Sequence, residues 1–76
     1  MEILYIVNRD MGCGNYNILS ARNTGMVAQF FVDYSPLGWD LKLEVEIDGR
    51  PATSEESIEY AKLVEEKIDE LSGRVQ

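Results

Sequence analysis

The chain has 76 residues, with 7 Lys and Arg against 14 Asp and Glu, for a formal net charge of −7. This acidity argues against direct binding to nucleic acid or to an anionic membrane, since both need a basic surface. One Cys and no His exclude an internal disulfide and a zinc site built from Cys and His. A chain this short buries only about 60% of its unfolded surface, so we expect one small domain over residues 1–76 and expect dimerisation to add stability.

Two strands are predicted in the first third of the chain. Residues 1–7 are apolar at both odd and even positions from Ile3 to Val7, which favours a central strand or one with a face in a subunit contact. Residues 8–14 contain Asn, Asp and two Gly, and therefore predict a loop. Residues 16–21 form a second, weaker strand pattern.

The most apolar run is residues 26–34, after turn residues 22–25 that suit a hairpin. Its length and aromatic content favour a third strand, although nine apolar-rich residues also fit a buried helix. Residues 35–38 then predict a turn, because Pro36 presets its backbone for the second turn position.

Residues 39–48 alternate strictly between apolar and charged side chains, which predicts a strand with one core face and one solvated, acidic face. Glu44 and Glu46 lie on the acidic face. Pro51 ends the pattern before the last element begins.

Residues 53–72 predict a long helix. Thr53 and Glu56 fit a capping box, and Gly73 fits a left-handed C-cap. The stripe expected to face the core is Ile58, Ala61, Val64, Ile68 and Leu71. The opposite face is acidic with one apolar residue, and includes Glu59, Leu63, Glu66 and Glu70. The predicted fold is therefore α+β: a four-stranded antiparallel meander over about 1–49, with one C-terminal helix packed on one face (ββββα).

No catalytic motif is present. Cys13 has no His to activate its thiol, and the acids alternate outward on a strand or face solvent on the helix. We expect no enzyme activity, no cofactor and no metal site.

The apolar start of the chain is too short for a signal sequence or a membrane span, and a lone thiol agrees with a reducing compartment. We therefore expect a cytoplasmic location.

Both faces of the first three predicted strands are apolar, while one helix covers only one face. The uncovered surface and the acidity predict binding to a protein partner with a basic surface. The candidate partner-binding residues are Tyr5, Phe31, Glu44, Glu46, Glu59, Leu63, Glu66 and Glu70.

In size, acidity and ββββα plan, the chain resembles the small inhibitor proteins that phages and mobile elements make against host defences, anti-CRISPR proteins among them. The resemblance is one of type and covers no motif. It implies a non-enzymatic inhibitor of a basic, nucleic-acid-handling partner. The alternative is a structural or regulatory homodimer, similar to antitoxins of the HicB type in its sheet-plus-helix plan, whose acidity serves solubility.

Overall fold

The computed structural model describes residues 1–73, which form one four-stranded antiparallel sheet and two α-helices. The strands are β1 (Ile3–Asp10), β2 (Asn15–Ala21), β3 (Asp40–Ile47) and β4 (Arg50–Pro51). The helices are α1 (Thr24–Tyr34) and α2 (Ser54–Leu71), and a short 3-10 helix, Ser35–Leu37, follows α1. The α+β class, the four antiparallel strands and the C-terminal helix are confirmed.

The third predicted strand is wrong, because residues 26–34 belong to helix α1. The predicted hairpin turn before it is instead the start of this helix. The Asn23 side chain accepts hydrogen bonds from the Gly25 and Met26 amides, which is the geometry of an N-cap. The fourth strand of the sheet is β4, which is only two residues long.

The sheet order is β2-β1-β3-β4, which differs from the sequential order of a meander. Helix α1 carries the chain from β2, at one side of β1, to β3 at the other side. The chain thus contains two successive β-β-α units, β1-β2-α1 and β3-β4-α2, joined where β1 pairs with β3.

Both helices cover the same face of the sheet. Their buried residues share one core with alternate residues of β1 and β3, and α1 also packs against α2. The buried core is Tyr5, Val7, Ala21, Val27, Ala28, Val45, Ile47 and Val64. Among residues 1–73, no helix lies on the opposite face of the sheet, which we call the open face.

The two sides of the sheet end differently. Strand β2 pairs with β1 but carries a bulge, since Val7 lies opposite Leu19 and Asn8 lies opposite Asn17, which leaves Ile18 as the extra residue. On the other side, β4 pairs with only the last two residues of β3. In the described part of the chain, the start of β3 is therefore an edge without a neighbouring strand on this side.

The capping box of α2 is confirmed: the Thr53 hydroxyl accepts from the Glu56 amide, and the Glu56 carboxylate accepts from the Thr53 amide. Gly73 has the predicted left-handed backbone, with φ 73°. The predicted core stripe is only partly right. Val64 is buried, but Ile58 is 68% exposed and Leu71 is exposed as well.

The reason is a rotation of the helix toward Tyr60, which packs against the core with its ring 6.5 Å from that of Tyr5. Ile58, which lies on the edge of the predicted stripe away from Tyr60, is turned out as a result, whereas Leu71 is exposed as the last residue of α2.

Candidate protein-binding surfaces

The open face of the sheet presents two apolar residues beside two acidic ones. Leu4 lies opposite Glu46, and Ile6 lies opposite Glu44, in the register between β1 and β3. Leu4 and Ile6 are half-buried and do not belong to the core cluster. Neighbouring side chains of paired strands lie within contact distance on one face, so these four form a continuous acidic and apolar patch.

The charges on this patch are largely uncompensated. Within residues 1–73, neither Glu44 nor Glu46 makes an ion pair. At the other end of the open face, Asp10 lies opposite Asp40, and Lys42 Nζ lies 3.9 Å from Asp10 Oδ2. Because Lys42 is the only basic side chain among the β1 and β3 residues of this face, the face is negative overall.

Two predicted partner-binding residues, Tyr5 and Phe31, do not lie on the open face of the sheet. Tyr5 is only 2% exposed; it lies in the core, and its hydroxyl shares a hydrogen bond of 3.0 Å with the Thr24 hydroxyl. Phe31 is on α1 rather than on a strand, and packs against the core from the helix layer. The expected exposure of Tyr5 is therefore wrong, because the odd positions of β1 face the helices and the even positions face outward.

The acidic side of α2 lies on the other side of the molecule. Glu59, Glu66 and Glu70 are exposed, and Leu63 among them is 44% exposed. Lys67 Nζ lies 3.4 Å from Glu70 Oε1 and offsets part of this charge. Since α2 covers the core face of the sheet, these acids and the Glu44 and Glu46 pair point to opposite sides.

A third surface is the groove between α2 and the start of β3. Its volume is about 260 Å³. It is lined by Phe31, Leu41, Leu43, Ala61, Val64, Glu65 and Ile68. An adjoining hollow is lined by Ile58, Ala61, Lys62 and Glu65, so the two share the same side of α2. Sequence patterns did not indicate this surface, because it depends on how far β4 extends along β3.

Three aromatic rings, two from α1 and one from the residue before β3, pack together beside Arg9 of β1. The Arg9 guanidinium carbon lies 3.7 Å from the centre of the Trp39 ring, a cation–π distance. The Trp39 ring lies 5.0 Å from Tyr34, which stacks on Phe30 at 4.4 Å. Arg9 is thereby held by aromatic packing.

The Cys13 loop contains little that would activate a thiol. Cys13 is exposed, and its Sγ lies 3.7 Å from the hydroxyl of Tyr16. Arg9, a nearby cation in sequence, is stacked on Trp39 instead. In the part of the chain that the structure describes, no group of three or more Asp, Glu, Cys or His side chains is arranged to hold a metal ion.

One ion pair links β4 to α2. The Arg50 guanidinium lies within 3.1 Å of Glu56, which also accepts from the Thr53 amide. The hydrogen bond from Arg50, followed by that from Thr53, lowers the pKa of Glu56 to about 2. The same contact raises the pKa of Arg50. This pair fixes the beginning of α2 against the hairpin of β3 and β4.

No protein family matches this chain, and no curated protein or solved structure matches it either. Within residues 1–73, neither helix combines the length and the apolar character that a membrane span requires.

Proposed function

We propose that this chain is a non-enzymatic binding protein that inhibits a basic, nucleic-acid-handling protein, and that it binds through the open face of its sheet. The observation that carries the proposal is the patch of Leu4, Ile6, Glu44 and Glu46. Its apolar residues are left uncovered because both helices lie on the other face, and its carboxylates have no ion-pair partner within residues 1–73.

This patch favours a partner that is both basic and apolar. Uncovered apolar side chains gain free energy when a partner removes them from water. Carboxylates beside them need cationic partners once water is excluded, because a buried charge without a partner is costly. Lys or Arg side chains meet both needs, since their stems cover apolar surface while their heads pair with carboxylates.

Nucleic-acid-handling proteins are the class of basic partner that we favour. Their binding channels concentrate Lys and Arg along the path of the phosphates, and an acidic protein competes for that same charge. The proposal includes the cytoplasmic location expected from the free thiol and the anti-defence role expected from the size and acidity of the chain.

A homodimer formed through the same open face is the alternative. Face-to-face association would bring the Glu44 and Glu46 carboxylates of two copies into one interface. Like charges at an interface oppose association. The acidic patch therefore favours a basic partner over a second copy at this face.

The test compares two double charge reversals that change the net charge equally but lie on opposite sides. One is Glu44→Lys with Glu46→Lys, on the open face; the other is Glu59→Lys with Glu66→Lys, on α2. Tagged wild type and both variants are used to capture proteins from a bacterial lysate at low and high salt, and captured proteins are identified by mass spectrometry. Circular dichroism checks that each variant is folded.

We expect the wild type and the α2 variant to capture the same nucleic-acid-binding protein at low salt, and the open-face variant to lose it. A purified partner should then lose its nucleic-acid binding when the wild type is added. Equal loss in both variants would show that only total charge matters. Loss in the α2 variant alone would move the binding site to the helix. Either result would overturn the assignment to the open face.

A further inference from the structure

The start of β3 presents backbone groups that no strand uses. The Ala52 amide donates to the Val45 carbonyl at 3.0 Å, so the backbone of Val45 faces the β4 side of the strand. Backbone groups alternate sides along a strand, and those of Leu43 and Leu41 therefore face the same side. Within residues 1–73, no strand pairs with them there. A row of unpaired amides and carbonyls is a template for another strand.

This edge also lacks two of the features that usually prevent such pairing, a bulge and a Pro. The pairing of β3 with β1 runs without interruption from Ile47 to Asp40, so no bulge twists the edge away. No Pro occurs within β3, and Lys42 is its only Lys. The β2 edge differs, because it carries a bulge and polar Asn residues. A bulged edge such as that of β2 resists association, whereas a straight edge such as that of β3 permits it.

An exposed apolar strip continues from this edge onto α2. The groove beside Leu41 and Leu43 shares Ala61 and Glu65 with the hollow around Ile58. Ile58 is 68% exposed although it begins the apolar stripe predicted for α2. Strand and helix thus offer apolar surface on the same side of the molecule, which is more than one added peptide strand would cover.

We infer that β3 pairs antiparallel with β3 of a second copy, which joins the two sheets into one of eight strands. The symmetric register places Leu41 opposite Leu41 of the second copy. Asp40 then lies opposite Lys42 of the second copy, and Lys42 lies opposite its Asp40, so both charges find partners of opposite sign. The two-fold axis also brings the Ile58 sides of the two α2 helices toward each other.

The other registers are less favourable. Only residues whose backbones face the edge can exchange hydrogen bonds, which leaves Leu41 opposite Leu43 or Leu43 opposite Leu43. The first places Asp40 against Glu44 and Lys42 against Lys42, and opposed like charges are destabilising. The second requires the backbone of Val45, which is already bonded to Ala52. Charge complementarity and the bonded backbone of Val45 together select the register, and the self-complementary pair of Asp40 and Lys42 selects a second copy as the occupant.

The experiment measures molecular mass by sedimentation equilibrium, with protein between about 1 and about 500 µM, which spans micromolar dissociation constants. We expect the wild type to change from monomer to dimer across this range. Asp40→Lys and Lys42→Asp each place like charges opposite each other twice, so each should weaken the dimer about ten-fold or more. An equimolar mixture of the two variants restores both opposite-charge pairs and should regain dimer formation.

Asp33→Lys is the matched control, because it changes the net charge as Asp40→Lys does but lies on the exposed side of α1. This variant should dimerise as the wild type does. A wild type that stays monomeric at the highest concentration would overturn the inference. Charge variants that dimerise normally, or a mixture that fails to recover, would overturn the register. A mass above that of a dimer would overturn the closed two-fold pairing.

Amide hydrogen exchange adds a site-specific readout. In dilute protein, the amides of Leu41 and Leu43 should exchange freely, while those of Lys42 and Glu44 are protected by β1. At high concentration the two Leu amides should become protected as well. Unchanged exchange would contradict the pairing. Neither measurement uses the partner of the proposed function, so this inference and that function can fail separately.

Discussion

The two ends of β3 share one sequence pattern but have different surroundings. Both ends alternate apolar and charged residues, yet Val45 and Ile47 are buried while Leu41 and Leu43 are only half-buried. The difference arises from β4 and the beginning of α2, which cover the end of the strand and leave its start open. The same alternation thus builds a core at one end and a partly exposed apolar surface at the other.

The largest effect should come from removing a side chain at the covered end. Ile47→Ala should lower the free energy of unfolding by about 2–5 kcal/mol, because it leaves a cavity in a region that is fully packed. Leu41→Ala, at the open end, should cost only about 1 kcal/mol, as is typical of single substitutions. Urea denaturation of dilute protein checks both values. Equal losses would show that the two ends are packed alike.

A smaller loss of stability is expected at the N-cap of α2, which follows the covered end of β3. Thr53→Ala removes the side-chain acceptor for the Glu56 amide and should lower the free energy of unfolding by about 1 kcal/mol. Thr53→Ser keeps the hydroxyl and serves as the control, with stability close to that of the wild type. If Thr53→Ser lost as much as Thr53→Ala, the capping hydrogen bond would not be the cause.

The smallest effect should be a pH dependence of the stability that the ion pair between Glu56 and Arg50 contributes at the start of α2. Because the pKa of Glu56 is lowered from 4.5 to about 2 in the folded chain, its ion pair with Arg50 stabilises the fold fully above pH 4.5. This contribution should be lost as the pH falls toward 2. Glu56→Gln should therefore lower the melting temperature at pH 7 and leave it nearly unchanged at pH 2. The exposed Glu55→Gln is the charge-matched control, and an equal pH response from it would contradict the assignment.

The sequence predicted the elements whose signals are local. The capping box of Thr53 and Glu56 located α2, and the strict alternation before Asp48 located β3. Both patterns involve neighbours in the chain, and the structure confirms them.

Helix α1 could not be assigned from its pattern alone. Its apolar residues are so dense that they satisfy a strand and a helix equally, and Phe and Val favoured the strand. The deciding residue is Asn23, which read as part of a turn because the same side chain serves both turns and helix caps. Its capping hydrogen bonds become visible only in three dimensions.

The uncovered face of the sheet was predictable in kind but not in detail. An uncovered apolar sheet face followed from counting apolar positions, but the choice of Tyr5 over Leu4 and Ile6 depended on which face of β1 the helices cover. The exposed edge at the start of β3 was not predicted, because Asp48 and Gly49 were interpreted only as the end of a strand. These two residues are a strong hairpin signal, and both have positive φ. That signal predicts β4, and the short length of β4 exposes the edge.

The pairing of β1 with β3 has a consequence for how quickly the chain folds. Each β-β-α unit is built from contacts between near neighbours, but Ile3 pairs with Ile47, across most of the described chain. Bringing such distant residues together costs loop-closure entropy before any contact repays it, which slows folding. We therefore expect the two β-β-α units to form early and the pairing of β1 with β3 to form last, as the rate-limiting step of folding.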